Sequence, residues 1–356
     1  MLSLPAGNSF NLEKITVNIP GSVSEIFVGR EWETAGKLIP QSGVLIITDQ
    51  NVHSIYGNRF PEFPVLIVQP GEQSKKLEVI GQLAERLLDA GIDRSGFLLG
   101  IGGGVVCDIT GFLASVYMRG IRFGYVSTTL LSQVDASTGG KNGVNLGDSK
   151  NILGCFRQPE FVICDPVMLY TLSDEEYFSG LAELIKTGII GDRLLFEKIE
   201  QNYNAIIGRD PELLSSLVSM AVNFKAAVVT EDERESGLRR ILNFGHTFGH
   251  AIELSSSLAH GYAVASGMEL AARFSCNKGL ISVTDLERIT GMLKSFNLLR
   301  DYHIPGDQVG RLILHDKKKA GGDIYFVLTE GIGKAVVEKM PAGTIVDFYL
   351  KYKAGK

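Results

Sequence analysis

Three histidines lie close together in the sequence, at His246, His250 and His260, and the whole chain has six. The four-residue spacing of His246 and His250 places both rings on one face if the segment is helical. Histidine pairs at this spacing commonly build metal or proton-transfer sites, whereas a lone histidine is more often a satisfied structural residue. With Arg239 and Asn243 nearby in the sequence, the cluster favours a functional site.

Glu183 and Lys186 form a second candidate, three residues apart in an otherwise apolar helical segment. A solvent-exposed ion pair is the alternative interpretation. The surrounding leucines and isoleucines favour burial, where a carboxylate needs a partner that a cation would provide. Glu183 with two histidines would form the His₂Glu ligand set of catalytic zinc sites. The residues alone leave open which two histidines bind, although spacing favours His246 with His250.

The glycines at 102–104 follow a predicted strand and precede a predicted helix. Glycines at such a turn let a phosphate approach the backbone at a helix N-terminus. The segment is neither GxGxxG nor a P-loop, and a tight turn without a ligand is the alternative. Polar residues follow other predicted strands, where ligands of open α/β sheets gather. These are Asp49, residues 71–75, Thr128 and Thr129, and together they favour a dinucleotide.

A glycine-punctuated segment from Asp135 to Asn145 carries a carboxylate and an amine, and Lys150 and Asn151 follow it. A solvated polar loop is the alternative interpretation. The flanking pairs 130–131 and 152–153 are apolar, so we expect them to bury the ends of the segment. Lysines held near glycines are suited to bind a phosphate or a carboxylate.

Two types of periodicity indicate the elements that position these residues. Short apolar runs alternate with helical segments in the first half, which indicates a mostly parallel, doubly wound sheet. The predicted strands span 44–48, 65–68, 97–101, 123–126 and 161–164, and the helices span 77–88 and 105–117. After residue 172 most segments have helical periodicity, starting at a Ser173 cap, and a hairpin follows near the end. These helices span 177–190, 211–230, 246–254, 263–277 and 283–296, and the hairpin strands span 324–328 and 334–338.

We therefore predict an α/β dinucleotide-binding domain at 1–171 and a mostly α-helical metal- and substrate-binding domain at 172–356, with a cleft between them. The 356 residues suffice for two cores, and 45% hydrophobic with 21% charged residues is ordinary for a globular protein. A net charge of −5 gives no electrostatic footprint for nucleic acid or an anionic membrane, so an anionic substrate needs a local cationic cluster.

The four cysteines show neither CxxC pairing nor disulfide spacing, which favours a reduced, cytoplasmic setting. The first residues lack a signal-peptide pattern. We also expect no apolar run long enough to span a bilayer.

The sequence closely resembles 3-dehydroquinate synthases, which belong to the sugar-phosphate cyclases. The matching stretches follow the expected order over most of the chain, and their combination is far more specific than any one of them. They are PGEQSK at 70–75, GGGVVCD at 102–108, YMRG at 117–120, STTLLSQVDASTGGKNGVN at 127–145, KNILG at 150–154, GLAELIK at 180–186, ESGLRRILNFGHTFGHAIE at 235–253, HG at 260–261 and DKK at 316–318.

The resemblance implies a dehydroquinate synthase-like fold, NAD and one Zn²⁺, with Co²⁺ accepted by the same ligands. It assigns the metal to Glu183, His246 and His260, and leaves His250 for the substrate phosphate or proton transfer. Arg119 would reach the neighbouring subunit's site, which implies a homodimer. The implied substrate contacts are Asp135, Lys141, Asn151, Lys186, Lys225, Arg239, Asn243 and one lysine of the 317–318 pair, taken as Lys318. The implied cofactor contacts are Asp49, Asn51, Glu72, Lys75, Gly104, Val105, Val106, Asp108, Thr128, Thr129, Lys141, Lys150 and Thr171.

The sequence departs from the family pattern at four positions. Cys107 replaces a common Gly, Asn142 a usual Thr, Tyr262 a usual Glu, and Pro70 a usual Asp. We expect Tyr262 to have the largest effect, on metal affinity, because it follows a metal ligand closely.

The implied reaction converts 3-deoxy-D-arabino-heptulosonate 7-phosphate to 3-dehydroquinate and phosphate by transient oxidation, phosphate elimination, re-reduction and aldol closure. Arg239 and Lys225 are expected to bind the substrate carboxylate, and Lys141, Asn151, Asn243 and His250 its phosphate. The alternatives are another sugar-phosphate cyclase, a metal-dependent alcohol dehydrogenase with net NAD turnover, and a non-catalytic binding protein.

Overall fold

The computed structural model describes residues 12–147, 149–256, 258–304, 306–315 and 323–354, except the side chains of 306, 307, 314 and 315. The chain forms two compact units. The first contains Met1–Leu172 and Ala205–Arg234, and the second contains Ser173–Asn204 and Glu235–Lys356. The division into functional domains at 171/172 stays a prediction; in the structure, residues 205–234 cluster with the first unit rather than the second.

The helices and strands of the described residues are as follows. The strands are β1 Glu13–Ile19, β2 Ser22–Val28, β3 Val44–Asp49, β4 Val65–Val68, β5 Phe97–Gly102, β6 Arg122–Ser127, β7 Lys141–Leu146, β8 Ser149–Phe156, β9 Phe161–Cys164, β10 Asp323–Thr329 and β11 Ala335–Pro341. The helices are α1 Gln50–Tyr56, α2 Leu77–Asp89, α3 Gly104–Val116, α4 Asp174–Ile190, α5 Arg193–Gln201, α6 Tyr203–Ile207, α7 Pro211–Glu231, α8 His246–Ser255, α9 His260–Asn277, α10 Val283–Ser295, α11 Gly306–His315 and α12 Ala342–Ala354.

The first unit is built on a seven-stranded sheet in the order β1-β2-β9-β6-β5-β3-β4. All neighbouring strands are parallel except the β1–β2 hairpin. This arrangement confirms the predicted α/β class, since short apolar strands buried on both faces are typical of parallel sheets. The sheet brings the carboxyl ends of β3, β5 and β6 to one edge, and the predicted nucleotide residues follow those ends.

Helix α7 corrects one expectation. It has 21 residues with a mean hydropathy of 1.5, which by length and composition is enough to cross a membrane. However, 61% of its apolar window is buried inside the protein, as in a core helix of a soluble protein. The helix packs on β1, and its Ser219 and Asn223 side chains hydrogen-bond to the Glu13 carboxylate.

The segment that resembled a polar loop forms a β-hairpin of β7 and β8, with Asn142 opposite Cys155. Leu130 is buried as expected, but Ile152 is 60% exposed, so the expected burial of the second apolar pair was wrong. Burial fails there because β7 and β8 form a separate two-stranded sheet outside the seven-stranded one.

The second unit is helical, with the β10–β11 hairpin at its end, as predicted. Helix α9 lies at its centre and packs against α4, α8 and α10. Helix α4 begins at the predicted cap, because the Ser173 hydroxyl accepts a 3.3 Å hydrogen bond from the Glu176 amide. This packing places the starts of α8 and α9 beside the middle of α4.

Candidate active site

Close backbone packing brings three helices of the second unit together. The Gly261 amide, at the start of α9, donates a 3.0 Å hydrogen bond to the Ser179 hydroxyl of α4. A Cβ on Gly261 would lie only 2.0 Å from the Ser179 carbonyl oxygen, and one on Gly267 would lie 2.0 Å from the Gly245 oxygen. Only glycine permits these approaches. Gly261 and Gly267 therefore set the positions of α4 and α8 against α9.

Glu183, His246 and His260 converge at this packing point. The Glu183 Oε1 atom lies 3.8 Å from His246 Nε2 and 3.7 Å from His260 Nε2. One potential ligand atom from each residue lies within 4.8 Å of the others. Among the described residues, this is the group of His, Cys, Asp or Glu side chains close enough to share a metal ion. A tetrahedral ion with bonds of about 2.1 Å holds its ligand atoms roughly 3.4 Å apart. The histidine ligand atoms lie within 4.8 Å of each other, so side-chain movements of at most about 1.4 Å bring the three residues to the spacing that a metal ion requires.

The buried state of Glu183 also suits a cation. Its side chain is 1% exposed, and the Lys186 ammonium, 3% exposed, forms an ion pair with Oε2. Neither carboxylate oxygen completes a directional hydrogen bond within the described structure. A buried carboxylate needs such compensation, and a bound cation would complete it. The exposed-pair interpretation of Glu183 and Lys186 was therefore wrong.

The two histidines facing Glu183 differ in their proton equilibria. Burial, followed by the charges of Lys186, His250 and His260, holds the pKa of His246 well below its usual value, so this ring is neutral and its lone pair is available. Burial alone would also lower the pKa of His260, but its hydrogen bond with Glu253 and the charge of Glu183 together raise it.

The His250 ring is a neighbour of this cluster. Its centroid lies 5.3 Å from that of His246, nearly perpendicular, and 6.3 Å from that of His260. The structure thus brings potential ligand atoms of Glu183, His246 and His260 together. The pair that spacing alone favours, His246 with His250, omits His260. The roles of these residues stay predictions.

Two more predicted substrate residues lie in the turn Leu238–Asn243, which packs on α4. Arg239 is 2% exposed despite its charge. The Asn243 side-chain amide donates a hydrogen bond to the Glu235 carboxylate.

In the first unit, Lys75 joins several predicted residues at the sheet edge. Its ammonium donates 2.6 Å hydrogen bonds to Asp108 Oδ2 and Asn151 Oδ1, and it lies 3.6 Å from Glu72 Oε1. Burial raises the pKa of Asp108 to about 6 although Lys75 acts in the opposite direction, and a fifth of its side chain remains accessible. The network places predicted cofactor residues next to a predicted substrate residue.

Asn145 completes this network, and sequence reasoning gave it no role. Its side-chain amide donates to Glu72 Oε1 at 2.9 Å, and its Oδ1 accepts from the Asn151 amide at 2.8 Å. Asn151 adopts a left-handed backbone with φ +53°. The available signal was the position of Asn145 within the polar segment that resembles the family.

The other predicted nucleotide residues follow strand ends. Among the residues that the structure describes, no side chain caps the N-terminus of α3, where Gly104, Val105 and Val106 form the first turn. A Cβ on Gly103 would lie 2.8 Å from Thr129 Cγ2, next to the buried Thr128. A helix start without a side-chain cap, preceded by glycines that leave the backbone accessible, suits a pyrophosphate.

Asp49 and Thr171 have structural partners as well. Asp49 Oδ1 accepts hydrogen bonds from the Asn51 and Val52 amides and so caps α1. The Thr171 hydroxyl lies 2.7 Å from the Tyr56 hydroxyl.

The remaining predicted residues are spread over the first unit. Lys225 of α7 donates a 2.6 Å hydrogen bond to the Asp135 carbonyl and forms an ion pair with its carboxylate. Lys141 and Lys150 are exposed on the β7–β8 hairpin. Arg119 is exposed and has φ +69°, next to a second left-handed residue. Lys318 lies outside the described residues.

Two of the departures from the family pattern meet at one buried hydroxyl. The Tyr125 hydroxyl oxygen lies 2.9 Å from the Cys107 carbonyl oxygen and 2.8 Å from Asn142 Oδ1, so its single proton is shared between these two acceptors. The Asn142 amide donates in turn to the Gly140 carbonyl at 3.0 Å and the Arg157 carbonyl at 2.9 Å. Asn142 therefore fixes the backbone immediately before Lys141.

The departure at Tyr262 is also buried. This residue is 5% exposed, and the Arg300 guanidinium lies over its ring at 4.8 Å from the centroid.

Comparison with protein families identifies both parts of the chain. Residues 65–179 match the model described as 3-dehydroquinate synthase N-terminal, and residues 180–319 match 3-dehydroquinate synthase C-terminal. A 3-dehydroquinate synthase of Alkaliphilus metalliredigens is 39% identical over 96% of this chain and 99% of its own length. One from Halorhodospira halophila is 42% identical over 82% of this chain and 85% of its own length.

Solved structures agree with the fold. The 2-epi-5-epi-valiolone synthase of Streptomyces hygroscopicus, with NAD⁺ and Zn²⁺ bound, has a TM-score of 0.81 and 27% identity over 88% of this chain and 92% of its own. A 2-deoxy-scyllo-inosose synthase with carbaglucose-6-phosphate, NAD⁺ and Co²⁺ has a TM-score of 0.82 and 25% identity over 95% of this chain and 99% of its own. The cofactors in these two structures are those predicted from the sequence.

Proposed function

Because the chain belongs to the 3-dehydroquinate synthase family, we propose that it converts 3-deoxy-D-arabino-heptulosonate 7-phosphate to 3-dehydroquinate and phosphate. The convergence of Glu183, His246 and His260 is the observation that carries the proposal. An alcohol of this substrate must be oxidised before the neighbouring C–H becomes acidic enough for phosphate to leave, and a chain that carries both a metal site and a nucleotide-binding unit matches that need.

Glu183, His246 and His260 would hold the metal, and the start of α3 with the Lys75 network would hold NAD. When bound, NAD accepts and returns a hydride, and the metal polarises the reacting oxygen. The two histidines would present neutral or hydrogen-bonded rings to the ion, and the Lys186 ammonium offsets the charge of the buried Glu183 carboxylate.

The substrate contacts follow from charge. Arg239 and Lys225 are proposed to bind the carboxylate, and Lys225 would share its ammonium between the substrate and Asp135. Lys141, Asn151, Asn243 and His250 are proposed to bind the phosphate. A strong protein base is unnecessary because the departing phosphate can take the proton itself. Asp135, Lys186 and one lysine of the 317–318 pair complete the proposed set.

We further propose a homodimer in which Arg119 contributes to the neighbouring site, and a cytoplasmic location. The exposed, left-handed position of Arg119 at the end of α3 supports its availability for such a contact.

The decisive experiment follows phosphate release from the heptulosonate phosphate with NAD⁺ and zinc, with NADH absorbance recorded in parallel. We expect phosphate release without net NADH, abolished by a chelator and by Glu183→Gln. Accumulating NADH without phosphate would indicate an alcohol dehydrogenase instead. Phosphate release with a product other than 3-dehydroquinate would indicate another sugar-phosphate cyclase.

A further inference from the structure

The two histidines of the candidate metal site are supported differently on their outer side. Both direct Nε2 towards Glu183. His246 Nδ1 lies 3.2 Å from the Phe244 carbonyl oxygen, whereas His260 Nδ1 lies 3.2 Å from the Glu253 carboxylate Oε2. One ring therefore faces a neutral acceptor from its own turn, and the other faces a carboxylate from a different helix.

Glu253 is well placed to act on His260. It belongs to α8, seven residues after His246, and therefore lies on the same helix face. Its side chain is 18% exposed, so water screens the contact only in part. The carboxylate reaches His260 at the first position of α9 and links the two histidine-bearing helices.

We propose that Glu253 is a positioning residue for the metal: it holds the Nδ1 proton of His260 and thereby directs the Nε2 lone pair towards Glu183. A carboxylate hydrogen-bonded to the far nitrogen of a ligating histidine fixes the tautomer and orientation of the ring and increases its basicity. His260 is thereby the stronger histidine donor, whereas the described partner of His246 Nδ1 is a backbone carbonyl. This inference rests on the proposed use of the site as a metal centre and adds a residue that sequence reasoning did not select.

The test measures zinc affinity of the full-length protein by competition with a chromophoric chelator, for the wild type, Glu253→Gln and Glu253→Ala. We expect both variants to bind zinc about 10- to 100-fold more weakly, as is typical when an outer partner of a ligand is lost. Glu269→Gln is the matched control, because it removes a carboxylate of similar burial that pairs with Arg273 on the same helix as His260. Its zinc affinity should equal that of the wild type.

A second measurement separates positioning from general damage. Nitrogen-15 NMR of the histidine rings in zinc-loaded protein should show the His260 Nδ1–H proton hydrogen-bonded in the wild type and altered in Glu253→Gln, with His246 unchanged. Unchanged zinc affinity in both Glu253 variants, or an unchanged His260 proton resonance, would overturn the inference. Failure of the proposed reaction is a different outcome. In that case the wild type would bind zinc and the Glu253 variants would bind it more weakly, but the wild type would release no phosphate.

Discussion

Replacing Gly261 with alanine should disrupt the candidate metal site without changing any ligand. The added Cβ would lie 2.0 Å from the Ser179 carbonyl oxygen and 2.6 Å from two other backbone atoms of that residue. The separation must grow by about 1.4 Å to reach the 3.4 Å of ordinary contact. The clash is between the new Cβ, whose position the α9 backbone fixes, and backbone atoms of α4, so no side-chain rotation can relieve it.

The expected magnitude has two parts. Overpacking of this kind destabilises a protein by about 1–3 kcal/mol. A metal site requires ligand distances within about 0.2 Å, so a helix shift near 1 Å beside His260 should separate this ligand from Glu183. Zinc affinity should fall by more than about 100-fold, since an inner ligand is displaced rather than an outer partner lost.

The assay combines chelator competition for zinc with thermal unfolding in excess chelator. Gly291→Ala is the matched control, because Gly291 lies within α10 and a Cβ there meets no atom of the described residues within 4 Å. This control should keep the zinc affinity of the wild type, and its free energy of unfolding should increase by about 0.5–1 kcal/mol, because alanine is more favourable than glycine inside a helix. Zinc binding by Gly261→Ala within about threefold of the wild type would refute the idea that backbone packing sets the ligand geometry.

Three further outcomes are expected. Lys186→Met leaves Glu183 buried without its cation and should destabilise metal-free protein by about 3–5 kcal/mol, while zinc should raise its Tm more than that of the wild type; equal melting temperatures in chelator would contradict this. Tyr125→Phe removes the hydroxyl that Asn142 accepts from and should reduce the free energy of unfolding by about 1–3 kcal/mol in a denaturant titration, whereas no change would show that water replaces it. Burial raises the pKa of Asp108 from 3.8 to about 6, so this group favours the folded state most below pH 4 and progressively less as the pH rises to 6. We would measure the free energy of unfolding of the wild type and of Asp108→Asn across that pH range. Relative to the variant, the wild type should lose at most about 3 kcal/mol as the pH rises, and a loss as the pH falls would contradict the prediction.

Hydrophobic periodicity located most of the elements, including the β10–β11 hairpin, but not the β1–β2 and β7–β8 hairpins. The runs at 65–68 and 161–164 were predicted with their observed bounds as β4 and β9, because short continuous apolar segments are typical of the strands of parallel sheets. The β7–β8 hairpin was interpreted as a loop, since β8 is exposed along most of its length and carries no apolar period. The β1–β2 hairpin alternates buried and exposed residues, and we did not identify it.

The candidate metal site shows where local spacing is insufficient. A four-residue interval identifies neighbours on one helix, and it selected His246 with His250. The third group at the observed site, His260, starts a different helix, and its approach depends on backbone packing at Gly261. Such packing leaves no periodic signal, so the resemblance to a family was needed to select His260. Glu253 could have been found from its interval of seven residues to His246.

The discontinuity of the first unit has a consequence for synthesis of the chain. Helix α7 contributes buried residues from Leu214 to Val229 to that unit, yet α4 and α5 of the other unit precede it in the sequence. A ribosome must therefore produce residues 173–204 before the core over β1 and β2 can close. During that interval the uncovered sheet face is a candidate for chaperone binding. A fragment ending at residue 172 would keep that face exposed permanently, and it should aggregate unless residues 205–234 are supplied as a separate peptide.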